Sequence, residues 1–449
     1  MKVITIETPE LGDRSYLIGP GAGGHEAVVI DPQRDLDRLE AALAAAGWTC
    51  ALVLETHLHN DYVSGGLELA RRTGASYGVH CAECVTFTRR GVREGELLRV
   101  GSLEIAVLET PGHTENHVAY VIQQQGEPAA VFSGGSLLFG SVGRTDLVHP
   151  ERTVFLARAQ YHSARKLGAL PEDAVLYPTH GFGSMCSAGP TSGARHGTIG
   201  QERVGNAALT DPDVQHFVVE LLAGLTPYPA YYAHMSGLNA RGPVAADLSA
   251  PQRVDADELG KRIAAGSWVV DLRDRSSFAA QHLAGSIGFA LSPQFATYLG
   301  WLIPWGSPLT LIGGYPQDVA DAQRQLVRIG IDHLAGSATG SVAELAGGHA
   351  VRSYPRRTFA DLAAEPDRTV LDVRRDDERT RGGIAGSAHI PLHSLQERMT
   401  DVPAGPVWVH CAAGFRASIA ASLLDRAGHN VVLVDDDWSR AAEAGLQIV

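Results

Sequence analysis

An internal repeat in the second half of the chain narrows the fold more than any other feature. One copy begins near Val254, VDADELGKRIAAGSWVVDLRDRSSFAAQHLAGSIGFAL, and the other near Thr358, TFADLAAEPDRTVLDVRRDDERTRGGIAGSAHIPL. Each runs through a helix, an apolar strand ending in Asp-x-Arg (Asp271 to Arg273; Asp372 to Arg374), a charged helix and a Gly-bearing turn. A second apolar strand follows, PLTLIGG in one copy and PVWVHCAAGFR in the other. Strands and helices alternating at this spacing predict small α/β domains with parallel sheets, because parallel neighbours need a crossover long enough to hold a helix.

The front half reads differently. From Met1 to about Pro190, short β-rich runs (SYLIG, AVVIDP, ALVLETH) alternate with turn signals and the amphipathic helix DRLEAALAAAGW. A second strand group (SYGVH, LLRVG, LEIAVLETPGH, VAYVIQ, AAVFSGG) repeats that rhythm, which predicts two sheets covered by helices. Residues 193–242 read as mostly helical and end in a Pro/Gly-rich cluster that marks a boundary. Domains are therefore expected at 1–243, 250–350 and 356–449, a number in keeping with 449 residues.

With 45% hydrophobic and 19% charged residues the chain can bury sizeable cores. Its net charge of −13, without a dense basic run, excludes an extended nucleic-acid footprint and points to small molecules. The N-terminus lacks the charged-then-apolar pattern of a signal peptide, and no run of about 18 apolar residues follows, so no membrane partner and a cytoplasmic location are expected. Five cysteines (Cys50, Cys81, Cys84, Cys186, Cys411) are an odd, thinly spread set, which argues against a disulfide framework and for a free thiol. Cys81 and Cys84 form a CxxC without a second CxxC to complete a four-thiolate site, and they read as ordinary cysteines. The oligomeric state, homo-oligomer included, is left open, as is a role for Cys81, Cys84 and Cys186.

Two segments carry chemistry. In VWVHCAAGFRASIAASLLDRAG an apolar strand stops at Cys411, a Gly-bearing turn follows, and Arg416 opens a helix. That order aims backbone N–H groups and a helix N-terminus at the sulfur, which stabilises a thiolate or persulfide anion, and Arg416 adds a fork of donors. In the front half, ALVLET runs into THLHNDYVSGG, which supplies His57, His59 and Asp61 at alternate positions. His113 in TPGHT and His180 in YPTHG follow later apolar runs, so all five are candidate metal ligands at strand ends.

The Cys411 segment, together with DVR and AGSAHIPL, resembles the rhodanese family from about Thr358 onward. The four residues between Cys411 and Arg416 are similar to the short loop of sulfur-transferring rhodaneses. The resemblance implies that Cys411 is the nucleophile and that Ala412, Ala413, Gly414, Phe415 and Arg416 cradle its anion. The middle copy has IGGYPQD where the last has HCAAGFR, with Gly313 or Gly314 near the cysteine position, so it resembles an inactive rhodanese unit.

The front motifs THxHxD, PGHT, SGxSL, GRxDL and a late THG resemble the metallo-β-lactamase superfamily, most of all its glyoxalase II and persulfide dioxygenase branches. This implies an α/β protein in which a metallo-β-lactamase-like αββα sandwich precedes two rhodanese-like α/β domains with parallel sheets. Fusion to rhodanese units is similar to persulfide dioxygenases, whose mononuclear iron oxidises a persulfide with oxygen to sulfite. The function implied is sulfane-sulfur transfer through Cys411, from thiosulfate or a small persulfide to a thiol or cyanide, beside metal-dependent persulfide oxidation. The alternatives are a glyoxalase II-type thioester hydrolase or a scaffold without catalysis.

The chain departs from these families at two points. Tyr62 stands where the resemblance places a second-site histidine, and Gly135 stands where it places the aspartate of an iron site. Three outcomes stay open: Fe(II) or Zn held by His57, His59 and His113; Asp61 as a substitute carboxylate; or an empty site. Arg144, by resemblance, contacts substrate or else faces solvent, and Asp146 matches a different aspartate of the family pattern.

Overall fold

The computed structural model describes residues 1–21 and 23–449. Its contacts fall into two compact units, residues 1–247 with 327–330 and residues 248–326 with 331–449. Among the described residues no helix is long and apolar enough to cross a membrane.

The first unit is built on two six-stranded sheets. Lys2–Thr8, Asp13–Gly19, Glu26–Ile30, Thr49–Leu54, Ser76–His80 and Arg90–Val92 lie in that order in one sheet. The other runs, edge to edge, from Gly197–Thr198 through Val175–Pro178, Ala130–Gly134, Val118–Gln123 and Leu103–Glu109 to Leu97–Val100. Strand side chains alternate between faces, and both faces are covered. Tyr16, Ile18, Val28, Ile30, Leu52 and Leu54 point between the sheets to meet Ile105, Val107, Tyr120, Ile122 and Phe132. Leu17, Val29 and Val53, one residue out of phase, pack under Leu39, Leu43 and Leu69 of the helices Asp37–Ala46 and Gly66–Thr73. Outside the second sheet, Val121 and Val131 meet Ala157, Tyr161 and Leu167 of the helix Thr153–Gly168. The result is an αββα sandwich, and the two-sided burial explains why these strands read as continuous apolar runs.

The second unit holds two parallel sheets from the two repeats. In the first, Trp268–Asp271 lies between Ile287–Gly288 and Leu309–Gly313, with Leu334–Thr339 beyond. In the second, the order is Arg356–Arg357, Val431–Val434, Val407–His410, Thr369–Asp372 and Ala388–His389. Each Asp-x-Arg is a clamp: Arg273 closes on Asp271 and Arg374 on Asp372, both through Nε and Nη2.

Ile122 is fully buried between the sheets of the sandwich. Ile122→Ala is expected to cost about 2–5 kcal/mol, read as a lower denaturation midpoint for the first unit.

Candidate active sites

The front ligands come from loops that leave strand ends on one side of the sandwich. His57, His59 and Asp61 follow Thr49–Leu54, His113 follows Leu103–Glu109, and His180 follows Val175–Pro178, all of them buried. One donor atom from each of His57, His113 and His180 lies within 4.8 Å of the others. The second nitrogen of each ring is anchored. His57 Nδ1 meets Thr56 Oγ1 at 2.9 Å, His113 Nδ1 donates to the Arg144 carbonyl at 2.7 Å, and His180 Nδ1 donates to Asp13 at 2.8 Å. Thr56 Oγ1 gives its own proton to Asp31, so it accepts from His57. These anchors select the tautomer that leaves three Nε2 lone pairs converging, as metal-bound histidines require.

The Nε2 atoms of His57 and His180 are 3.5 Å apart. Donors on a tetrahedral centre with metal–nitrogen bonds of about 2.0–2.1 Å sit roughly 3.3 Å from one another, so the spacing fits. His113 Nε2 and both Asp61 oxygens are buried with no hydrogen-bond partner. Burial pushes the His57 imidazole well below its ordinary value and His113 down to about 3, which keeps both neutral. Burial acts the same way on His180, but Asp61 and Asp13 outweigh it and favour a positive charge there. A cation held by the ring serves those carboxylates as the proton does. The residues present therefore fit a metal held by His57, His113 and His180.

This trio differs from the expected His57, His59 and His113. His59 turns the other way: its Nε2 lies 3.3 Å from both Asp31 and Glu55 and 2.9 Å from the Tyr62 hydroxyl, and its ring stacks on Tyr62. Burial opposes a charged His59, yet Asp31 and Glu55 raise it to about 9. Asp61 lies 3.2 Å from His180 and groups with His59 and His180. Gly135 is more than a missing ligand. A Cβ at this position would overlap the His113 ring, and one at Gly143 would crowd the same ring, so both glycines leave room for His113. Arg144 is buried and does not face solvent. Asp146, the carbonyls of Met185 and Thr226, and the Tyr228 ring hold its guanidinium, which makes it a strut.

Sequence reasoning missed His117, whose Nε2 accepts from Gly135 N–H at 3.0 Å while its ring stacks on His57. It also missed the carboxylates Asp13, Asp31 and Glu55 beneath the histidines. Asp31, in VVIDP, ends an apolar strand before Pro, the signal that could have marked it; its φ is +51°. All five cysteines are free. Cys81 and Cys84 are exposed, and Cys186 is buried with Sγ 3.8 Å from the Tyr232 hydroxyl.

In the second unit Cys411 follows Val407–His410, and the helix Phe415–Arg426 starts after Gly414. Among the described residues, the N–H groups of Ala412, Ala413, Gly414, Phe415 and Arg416 meet no protein acceptor, so the loop is a cradle of free donors around the sulfur. Gly414 has φ +84°, and a Cβ there would strike Asp435, which Arg275 and Arg356 hold at 2.7 and 3.1 Å. Arg416 departs from expectation: its fork closes on Glu378 at 2.5 and 2.7 Å and is not free. In the middle repeat the registers Asp271↔Ile312 and Asp372↔His410 place Gly313 at the position of Cys411. There Asp318 accepts from Tyr315 N–H, so a carboxylate caps the loop where an anion would bind.

Gly135→Asp, which restores the carboxylate implied by resemblance, is expected to lower stability by about 1–3 kcal/mol through overpacking against His113. Metal content should not rise; thermal melting and metal analysis check both.

A family model described as the metallo-beta-lactamase superfamily matches residues 10–180, and one described as the rhodanese-like domain matches 356–444. The chain is 33% identical over 171 residues to a hydroxyacylglutathione hydrolase of Polaromonas sp., which covers 37% of this chain and 62% of that relative's length. It is 32% identical over 185 residues to the hydroxyacylglutathione hydrolase of Cereibacter sphaeroides, covering 40% of this chain and 68% of the relative. A crystal structure of a metallo-beta-lactamase from Staphylococcus aureus subsp. aureus COL is 25% identical at a TM-score of 0.68, covering 76% of this chain and 99% of that one. The chain thus belongs to the metallo-beta-lactamase superfamily through its front unit and carries a rhodanese-like domain at its C-terminal end.

Proposed function

We propose that this protein is a sulfurtransferase that carries sulfane sulfur on Cys411, beside a metal-dependent site that oxidises persulfides. The observation that carries the first half is the run of unpaired N–H groups from Ala412 to Arg416 around a nearly buried thiol. Free backbone donors at the start of a twelve-residue helix stabilise a sulfur anion without protonating it. Cys411 thiolate attacks the outer sulfur of a donor R–S–SH; the donor's S–S bond breaks, R–S⁻ leaves with its R–S bond intact, and Cys411–S–SH remains. A thiol or cyanide then takes the sulfur and returns the thiolate.

At the front, His57, His113 and His180 would hold the metal. Ferrous iron bound by histidines supplies redox chemistry toward oxygen, which persulfide oxidation needs. The chain's own contribution is to hold three imidazoles fixed and buried, His57 and His113 neutral and His180 beside the Asp61 and Asp13 carboxylates that favour a cation there. A second reading, thioester hydrolysis, is favoured by the hydroxyacylglutathione hydrolases among the relatives. Tyr62 and Gly135 weigh against it, since both remove groups that would hold two metals.

Cys411→Ser is expected to reduce thiocyanate formation from glutathione hydropersulfide and cyanide to the uncatalysed background; undiminished turnover would refute sulfur transfer at this residue. Protein purified anaerobically is expected to carry about one iron per chain and to consume oxygen with glutathione persulfide. His113→Ala should lose both while melting as one folded species. Hydrolysis of a glutathione thioester without oxygen uptake would favour the second reading.

A further inference from the structure

A cleft bordered by Arg416, the last residue of the Cys411 loop, is lined by Tyr298, Trp301, Arg375, Leu392 and His393 as well. Its character is decided less by the two arginines than by what holds them. Arg416 is locked in a two-pronged pair with Glu378, with only 12% of its side chain exposed. Arg375 is held by Asp377 at 2.9 and 3.3 Å, with Glu378 at 3.7 Å. Two cations therefore meet two carboxylates, and the Arg416 fork is closed through both of its terminal nitrogens. Burial acts against ionised Glu378, but Arg416 and then Arg375 hold its carboxyl below the usual range, so the pair stays charged.

The rest of the cleft is apolar. The helix Phe295–Leu302 of the middle repeat sets Tyr298 edge-on to Phe415 at 5.6 Å and Trp301 in a stack on His393 at 5.1 Å. Burial pushes the His393 imidazole down, toward its neutral form. Through Phe415, Tyr298 touches the loop that follows Cys411.

A compact dianion such as thiosulfate gains most from a free guanidinium fork, and here it must first displace a carboxylate in a largely desolvated setting. An organic hydropersulfide needs no such exchange. Its outer sulfur can reach the loop N–H groups while its organic part lies against the aromatic wall. Resting on the reading of Cys411 as a sulfur carrier, we propose that Glu378 is a specificity-determining residue. By occupying Arg416 it excludes small dianionic donors and selects organic hydropersulfides. Loading from either class ends in the same Cys411–S–SH; what leaves is sulfite from thiosulfate and a thiolate from the hydropersulfide.

The test is single-turnover loading of Cys411, followed by rapid quench and peptide mass, with thiosulfate and glutathione hydropersulfide as the two donors. In the unmodified protein the hydropersulfide is expected to load at least about a hundredfold faster per unit concentration. In Glu378→Gln the ratio of thiosulfate to hydropersulfide rate constants is expected to rise about tenfold, while Glu378→Asp keeps the original ratio. A merely structural pair would slow both donors alike, and an unmoved ratio would overturn the proposal. Equal loading by both donors in the unmodified protein would overturn it without any variant, so a misfolded Glu378→Gln does not shelter it. No loading from either donor would overturn the sulfur-carrier reading itself, and the proposal with it.

Discussion

Unpaired backbone donors around Cys411 are the constraint on which the second unit depends. Among the described residues the five N–H groups from Ala412 to Arg416 meet no protein acceptor, and a run of donors turned away from helix and sheet persists only where the surrounding structure fixes the loop. Gly414 makes the turn possible through its left-handed backbone, and Asp435, held by two arginines, closes the space behind it. One of those arginines, Arg275, comes from the middle repeat. That repeat keeps the Asp-x-Arg clamp, places Asp318 on the N–H of Tyr315 in its own loop, and contributes a wall and a strut to the neighbouring site.

The front unit solves a related problem with the charges reversed. Three imidazoles converge through their Nε2 atoms because a hydroxyl, a carbonyl and a carboxylate take up the three Nδ1 positions. Beneath them, Asp31 gathers Thr56, Thr179 and His59, tying segments far apart in sequence to one carboxylate. The glycine at position 135 belongs to this construction. Its missing side chain is the space that the His113 ring occupies, so the loss of the implied aspartate and the packing of the histidine are one change.

How far the sequence discloses this depends on how local the chemistry is. The Cys411 loop is legible because strand, thiol, glycine turn and helix start are contiguous, and the Asp-x-Arg repeat is legible because it recurs. The αββα sandwich follows from two strand groups with covering helices. The grouping of the histidines does not follow. His57 and His59 alternate along the chain, and which of them faces His113 is decided by Asp31 and Glu55, neither of which the motif contains. Arg416 reads as a free fork until the fold brings Glu378 to it from 38 residues away. Arg144 reads as a surface or substrate residue until Asp146 and two distant carbonyls enclose it.

A crystal structure of the protein after exposure to a hydropersulfide under anaerobic conditions tests the central claim most directly. The account predicts a second sulfur bonded to Cys411 Sγ and lying within hydrogen-bond reach of the N–H groups of Ala412 to Arg416. An unmodified Cys411 with the added sulfur on the exposed Cys81 or Cys84 would contradict it.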